Sequence, residues 1–122
     1  MNKIREGNDF VLNWTIMHDA ETPLDTEGIY DERLFLRYYG KTVEVLSFQR
    51  TANILHIEVT PAMAPLTGVY VLEYEYKKPD PTFQRGYRNR AFGTYAFQIV
   101  PTTDKDDDLR VIEVTTILSN SD

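Results

Sequence analysis

The two histidines are the residues best suited to acid–base chemistry near neutral pH, and neither has the neighbours that such chemistry needs. His18 follows a predicted strand, and His56 lies within "ILHIEV". On an alternating strand His56 faces away from the apolar Leu55 and Ile57, so we expect it at the surface or rim of a sheet. The chain has no cysteine, no G-x-S-x-G elbow, no P-loop and no G-x-G-x-x-G. No catalytic residue is predicted, and a hydrolase with an unrecognised site is the least favoured class of function.

The run "DKDDD" is the segment most typical of a hard-cation site, because Asp104, Asp106 and Asp108 occupy alternate positions. An EF-hand loop would need glycine where Leu109 stands and glutamate where Thr115 stands. Residues after the run also follow a strand pattern instead of a helical one. We therefore interpret 102–108 as an acidic spacer and expect no metal and no cofactor.

Charge is segregated between two stretches of the chain. Residues 77–90, "KKPDPTFQRGYRNR", hold five basic side chains and one aspartate, whereas residues 18–32 hold six acidic side chains and no Lys or Arg. Opposite charges of this kind can dock copies of a domain to each other or to a larger assembly. The alternative is that the basic stretch is a hairpin tip whose charges only keep it solvated. The predicted partner-binding residues are Lys77, Lys78, Phe83, Arg85, Tyr87, Arg88 and Arg90.

Overall charge and composition narrow the class of partner. The net charge of −6 opposes binding to a polyanion, so we expect no nucleic-acid partner. With 122 residues, 42% of them hydrophobic, the chain suits one domain with one core, predicted over residues 1–122. The N-terminus lacks the apolar stretch of a signal peptide, and no run is long enough to cross a bilayer. We therefore expect a soluble protein that is made in the cytoplasm and has no membrane partner.

Hydrophobic residues recur with a period of two through most of the chain, which is the signature of half-buried strands. Trp14 shares one face of its strand with Phe10, Leu12 and Ile16, so it is predicted to be a core residue. The pattern predicts an all-β, immunoglobulin-like antiparallel β-sandwich of about seven strands, with 42–50 and 54–60 forming a hairpin. The predicted strands are 9–16, 32–40, 42–50, 54–60, 68–78, 90–100 and 109–118.

A Gly-x-Tyr sequence begins the fifth predicted strand, in "LTGVYVLEY". It resembles the tyrosine corner of immunoglobulin-like folds, in which the phenol hydrogen-bonds to the backbone at the corner. Gly68 and Tyr70 are the matching residues. Leu72 stands where an immunoglobulin domain has its second cysteine, so the resemblance supports the architecture and not membership of that family.

The last predicted strand, 109–118, has two possible placements. Ile112, Val114, Thr116 and Leu118 share one face, so the strand belongs in a sheet. The spacer before it is long enough for the strand to join its own sandwich or a neighbour's. We favour folding back onto its own chain.

Four segments, "IREGNDFVLNWTI", "TPLDTEGIYDERLFLRYYGKTVEV", "LTGVYVLEYEY" and "VIEVTTIL", resemble the N-terminal domain of phage baseplate upper proteins and related small sandwich modules of Bacteroidales phages. The matching positions are Arg5, Gly7, Asn8, Asp9, Pro23, Asp25, Gly28, Gly68 and Tyr70.

This resemblance implies a non-enzymatic virion structural protein, an adaptor or decoration subunit located in the virion. Its expected partners are other virion proteins, in a homo- or hetero-oligomeric assembly that contacts capsid, tail or fibre components. The alternative is a carbohydrate- or cell-surface-binding β-sandwich module that uses exposed aromatic side chains.

Overall fold

A computed structural model of the chain describes residues 1–101 and 110–119. These residues form two sheets packed face to face, and no helix occurs among them. The prediction of an all-β sandwich is confirmed. The strands are β1 (Asn2–Arg5), β2 (Phe10–Met17), β3 (Tyr30–Tyr38), β4 (Lys41–Val45), β5 (Phe48–Thr51), β6 (Ile54–Val59), β7 (Gly68–Pro79), β8 (Tyr87–Val100) and β9 (Val111–Ile117).

The large sheet has the order β1-β8-β7-β3-β4, and the small sheet has the order β5-β6-β2-β9. Alternation fixes which side chains lie between them, because successive side chains of a strand point to opposite faces. In β2 the inner residues are Phe10, Leu12, Trp14 and Ile16, each at most 4% exposed. The core position predicted for Trp14 is therefore confirmed.

Aromatic rings fill much of the space between the sheets. Tyr70 and Phe97 are stacked with centroids 5.0 Å apart, and Phe10 meets Phe97 edge to face at 4.9 Å. Trp14 packs against Tyr74 at 6.4 Å in the same edge-to-face manner. Offset and edge-to-face geometries are those that the ring quadrupoles favour, and they link strands of both sheets.

The described residues contain nine strands, where the sequence pattern predicted about seven. β1 was missed because it is four residues long and only Ile4 is buried in it, too little for a period to show. The predicted strand 42–50 is two strands, since the chain leaves the large sheet after Val45 and enters the small sheet at Phe48. Only the second of them, β5, forms the predicted hairpin with β6.

Two strand pairs at the edges of the sandwich are parallel, whereas the sequence pattern predicted an antiparallel sandwich. β1 pairs with β8 in parallel, and β9 pairs with β2 in parallel from Val11↔Val111 to Met17↔Ile117. Parallel neighbours need a long connection, and both pairs join strands that are far apart in the chain. Local sequence patterns indicate hairpins between neighbouring strands, so they do not reveal the parallel pairs β1–β8 and β2–β9.

The final strand lies in the small sheet of its own chain, beside β2. Ile112 and Leu118 are buried, at 1% and 6% exposure, as the shared face predicts. The Trp14 indole donates a hydrogen bond to the Thr116 hydroxyl at 2.9 Å and so ties β9 to the core. The predicted spacer 102–108 and Leu109, the first residue of the predicted strand, lie outside the described residues.

Candidate partner-binding surface

The β7–β8 hairpin ends in a short loop that is held by its own hydrogen bonds. Pro79 and Tyr87 are the last paired residues, and the Asp80 amide donates to the Gly86 carbonyl at 2.9 Å. The Asp80 carboxylate accepts from the Thr82 hydroxyl at 2.6 Å and the Thr82 amide at 3.0 Å, which lowers the pKa of Asp80. Gly86 has a φ of 84°, a conformation that glycine adopts without steric cost. The loop is therefore well defined.

Three side chains on this loop form a cluster that we call the tip cluster: Phe83, Arg85 and Tyr87. The Arg85 guanidinium lies 4.6 Å from the Tyr87 ring centroid and 6.0 Å from that of Phe83. Its Nε donates to the Tyr87 carbonyl at 3.1 Å. Phe83 is 44% exposed although it is large and apolar. The tip thus presents a cation held between aromatic rings to solvent.

Two further side chains, those of Lys77 and Tyr30, contact the Tyr87 ring of the tip cluster. Lys77 places its ammonium 5.2 Å from the Tyr87 ring centroid, and Tyr30 meets Tyr87 edge to face at 6.2 Å. Tyr30 pairs with Lys77 in the sheet, so both side chains reach the same ring. The sequence pattern did not assign Tyr30 a role, because it lies in the acidic segment and far from the hairpin in the chain.

The acidic segment 18–32 lies against the same hairpin, within one chain. Lys77 Nζ is 3.0 Å from Asp31 Oδ2, and the carboxylate raises the pKa of Lys77. Lys78 Nζ is 3.4 Å from Asp25 Oδ2. The Glu27 amide, and after it Lys78, lowers the pKa of Asp25. Lys77 and Lys78 are therefore paired with carboxylates of their own chain. The sequence pattern suggested instead that these opposite charges dock copies of the domain to each other or to a larger assembly.

Alternation along the hairpin separates the predicted partner residues into two groups. The register pairs Lys78 with Arg88 and Tyr76 with Arg90, which places these four side chains on the face opposite to Lys77 and Tyr87. They line a cavity of about 450 Å³ between the hairpin and residues 18–25. We call it the basal cavity, defined by His18, Thr22, Pro23, Leu24, Asp25, Tyr76, Lys78, Arg88 and Arg90.

The tip cluster and the basal cavity are therefore distinct sites. The structure brings Phe83, Arg85, Tyr87 and Lys77 together at the tip. It places the remaining predicted partner residues, Lys78, Arg88 and Arg90, at the cavity. A sequence pattern finds the composition of the segment easily, but the two faces become visible only when the register of the hairpin is known.

Arg88 and Arg90 also contact residues outside the cavity lining, and these neighbours are of different kinds. Arg88 Nε lies 3.5 Å from Asp80 Oδ2, and the Arg90 guanidinium is 5.1 Å from the Phe92 ring centroid. Tyr76 lies between them and the core, with 2% of its surface exposed, and burial raises the pKa of its phenol. Tyr76 was expected only as one member of an alternating strand, and its position under two arginines was not predicted.

The corner residues Gly68 and Tyr70 lie at the opposite end of β7 and have a structural role. The Tyr70 hydroxyl donates to the Leu66 carbonyl at 2.6 Å and accepts from the Leu66 amide at 3.0 Å, which is the hydrogen bonding of a tyrosine corner. Gly68 has a φ of 130°, and a Cβ there would lie 2.5 Å from the Tyr39 hydroxyl. Glycine is therefore required at this corner.

The described histidines and carboxylates were the remaining candidates for acid–base or metal chemistry. His56 is half-buried on the outer face of the small sheet, as predicted, with Nδ1 2.6 Å from Asn13 Oδ1. Within residues 1–101 and 110–119, no group of three or more His, Cys, Asp or Glu side chains is placed to hold a metal ion. The aspartates of the "DKDDD" run lie outside this part of the chain. The described residues also contain no helix long and apolar enough to cross a membrane.

The chain was compared with protein-family models, with curated proteins and with solved structures. None of the three comparisons found a match.

Proposed function

We propose that this domain is a non-enzymatic structural subunit of a phage virion, an adaptor or decoration protein that attaches to capsid, tail or fibre components through the tip cluster. The observation that carries the proposal is the exposed cation–aromatic cluster of Phe83, Arg85 and Tyr87 on a loop fixed by its own hydrogen bonds. The resemblance of four segments to phage baseplate modules supports the virion setting.

Side-chain chemistry makes the tip a suitable anchor. Aromatic residues and arginine contribute most of the binding free energy at protein interfaces when they become buried. Arg85 is already held by the Tyr87 ring and carbonyl, so binding restricts little additional motion of its side chain. A partner needs an apolar pocket for Phe83 and an acidic group for the outer side of Arg85.

Charge also favours this end of the molecule as the contact. The whole chain carries a net charge of −6, whereas the hairpin segment 77–90 is basic. Because carboxylates of the same chain face Lys77 and Lys78, attraction of the tip toward an acidic surface comes from Arg85, which contacts aromatic rings and a backbone carbonyl. In a symmetric particle, many weak contacts of this kind add up to stable attachment.

Cosedimentation with purified particles that lack the domain tests this proposal. The wild-type domain is expected to bind in a saturable manner, and the double variant Phe83→Ala/Arg85→Gln is expected to bind at least roughly tenfold more weakly.

The matched control is Phe35→Ala/Arg33→Gln, which removes another arginine held over a phenylalanine, at 4.9 Å, on the outer face of the large sheet. The control is expected to bind like wild type. Equal weakening by both double variants would contradict attachment through the tip.

A carbohydrate-binding module is the second candidate, and Tyr95 is the observation that favours it. Tyr95 is 71% exposed and pairs with Val71 on the outer face of the large sheet, next to the small residue Gly93. A flat exposed ring is a common stacking surface for sugars, whereas Trp14 is buried and cannot serve as one. Binding on a glycan array that is lost in Tyr95→Ala would favour this candidate.

A further inference from the structure

The basal cavity combines positive charge with a buried polar floor. Lys78, Arg88 and Arg90 line it against one carboxylate, that of Asp25. Asp25 is already engaged by Lys78 and by a backbone amide, and its side chain is 72% exposed, so it points largely to solvent. Three cationic side chains thus line the cavity with one carboxylate among them, and a second carboxylate, that of Asp80, faces Arg88 from outside the lining.

Two donor groups lining this cavity are unsatisfied. Within the described residues, neither Tyr76 Oη nor Arg88 Nε has a hydrogen-bond partner, and both atoms are closed to solvent. The 3.5 Å approach of Arg88 Nε to Asp80 is an ion pair without hydrogen-bond geometry. Buried polar groups in folded proteins are nearly always paired, so two such donors lining one cavity need an explanation.

An acceptor with negative charge explains both donors. Arginine can only donate, and the phenol remains protonated and able to donate because burial raises the pKa of Tyr76. We propose that the basal cavity binds a small oxyanion, a carboxylate, phosphate or sulfate group, through Tyr76 Oη and Arg88, with Lys78 and Arg90 supplying further positive charge.

Arg88 is the side chain that admits the ligand. Its side chain is 41% exposed, and its 3.5 Å contact with Asp80 lacks hydrogen-bond geometry, so turning the guanidinium breaks no hydrogen bond to that carboxylate. A guanidinium that turns toward the cavity offers parallel N–H groups that match an oxyanion. The Tyr76 ring packs against Tyr74 with the ring centroids 5.4 Å apart, so its hydroxyl keeps its position beside the cavity.

This inference does not depend on the proposed attachment through the tip cluster, which lies on the other face of the hairpin. The oxyanion has two possible sources, a free inorganic anion or the carboxylate of an acidic side chain on a partner. Both sources present negatively charged oxygens to the same donors. They differ in shape, since phosphate and sulfate are tetrahedral and a carboxylate is planar.

Titration calorimetry and thermal melting of the full chain with sodium phosphate, sodium sulfate and sodium acetate, each against sodium chloride at equal ionic strength, test the proposal. At least one of the three oxyanions is expected to raise the melting temperature of the wild type above the chloride value. A preference for phosphate and sulfate points to a free tetrahedral anion, and an equal or greater effect of acetate points to a carboxylate.

Tyr76→Phe is the decisive variant, because it removes one hydroxyl and keeps the ring. In chloride it is expected to be at least as stable as wild type, since the lost hydroxyl has no partner within the described part of the chain. Its affinity for the oxyanion is expected to be lower by roughly tenfold or more.

Two control variants separate this effect from general damage. Tyr74→Phe removes a buried hydroxyl that is hydrogen-bonded to Glu32 at 2.5 Å, so it is expected to destabilise the protein and to keep the oxyanion response. Phe83→Ala/Arg85→Gln is expected to keep both stability and oxyanion response. No oxyanion-specific shift in wild type, or an equal shift in wild type and Tyr76→Phe, would overturn the inference.

Discussion

Glu32 in β3 and Arg50 in β5 are hydrogen-bonded to each other across the two sheets of the sandwich. The second contact of this pair, from Arg50 Nη2 to Glu32 Oε2, measures 3.3 Å. The buried Tyr74 hydroxyl donates to the same carboxylate at 2.5 Å. Both charged side chains are less than a quarter exposed, at 21% and 24%, so solvent screens the pair only in part. The pair therefore links β3 of the large sheet to β5, the edge strand of the small sheet.

Substitution of Glu32 is expected to weaken the sandwich. Glu32→Gln removes the charge that Arg50 faces and the preferred acceptor of Tyr74, and it leaves a partly buried guanidinium without an anion. We expect the free energy of unfolding in urea to fall by about 1–3 kcal/mol.

Glu44→Gln is the matched control, because its partner Arg33 is 52% exposed and solvent screens this pair. This substitution should leave the free energy of unfolding nearly unchanged. A loss as large as that of Glu32→Gln would show that the inter-sheet position of Glu32 is not what matters.

The tyrosine corner gives a second prediction about stability. Tyr70→Phe removes both hydrogen bonds to Leu66 and leaves the Leu66 amide and carbonyl without this partner. We expect a loss of about 1–3 kcal/mol, measured by urea unfolding. Tyr39→Phe removes one hydrogen bond, to the Thr67 carbonyl, from an exposed side chain and should cost less. The reverse order of the two variants would be incompatible with the role assigned to Tyr70.

Stability is expected to fall in alkaline solution. Burial raises the pKa of Tyr70, Tyr74 and Tyr76 above the ordinary value of 10.0. The unfolded chain then loses these protons first as the pH rises, so it binds fewer protons than the folded chain above pH 10. The free energy of unfolding therefore falls as the pH rises above about 10. Below that pH both states keep these protons, and the three tyrosines do not make stability depend on pH.

Urea unfolding at a series of pH values, together with the ultraviolet absorbance of tyrosinate, measures this effect. The three tyrosines should ionise only as the protein unfolds. A free energy of unfolding that stays constant above about pH 10 would contradict the burial of their hydroxyls.

The position of β9 can be followed through Trp14, the single tryptophan of the chain. Its indole donates to Thr116, and Ile112 and Leu118 fill the core beside it. A chain truncated after residue 110 is expected to unfold as a monomer, with a loss of circular dichroism and a red shift of the tryptophan fluorescence. A folded truncated monomer that no longer assembles would instead indicate that β9 belongs to a neighbouring copy.

The inner faces of the strands could be predicted from the sequence because burial imposes the period of two directly on residue type. Trp14 and Tyr70 are clear cases, since each shares one face of its strand with other apolar or aromatic residues over the full strand. The sequence did not predict the short strand β1 or the crossing between the sheets after Val45, because neither leaves a periodic signal long enough to detect.

The candidate site was predictable in composition and not in geometry. Phe83, Arg85 and Tyr87 follow from the basic and aromatic content of one segment. The separation of Arg88 from Tyr87 depends on the hairpin register, and the pairing of Lys77 with Asp31 depends on contacts across 46 positions of the chain. Such contacts are set by the packed sandwich and leave no trace in a local pattern.

The copy number of the domain in purified particles tests the central claim most directly. Wild type, Phe83→Ala/Arg85→Gln and Phe35→Ala/Arg33→Gln would be expressed at equal levels, and each would be counted in intact particles by quantitative mass spectrometry, with melting temperatures measured in parallel. We expect a fixed number of wild-type and control copies per particle, and at least roughly tenfold fewer copies of the tip variant at an unchanged melting temperature. Absence of the wild-type domain from particles, or equal copy numbers for all three proteins, would contradict it.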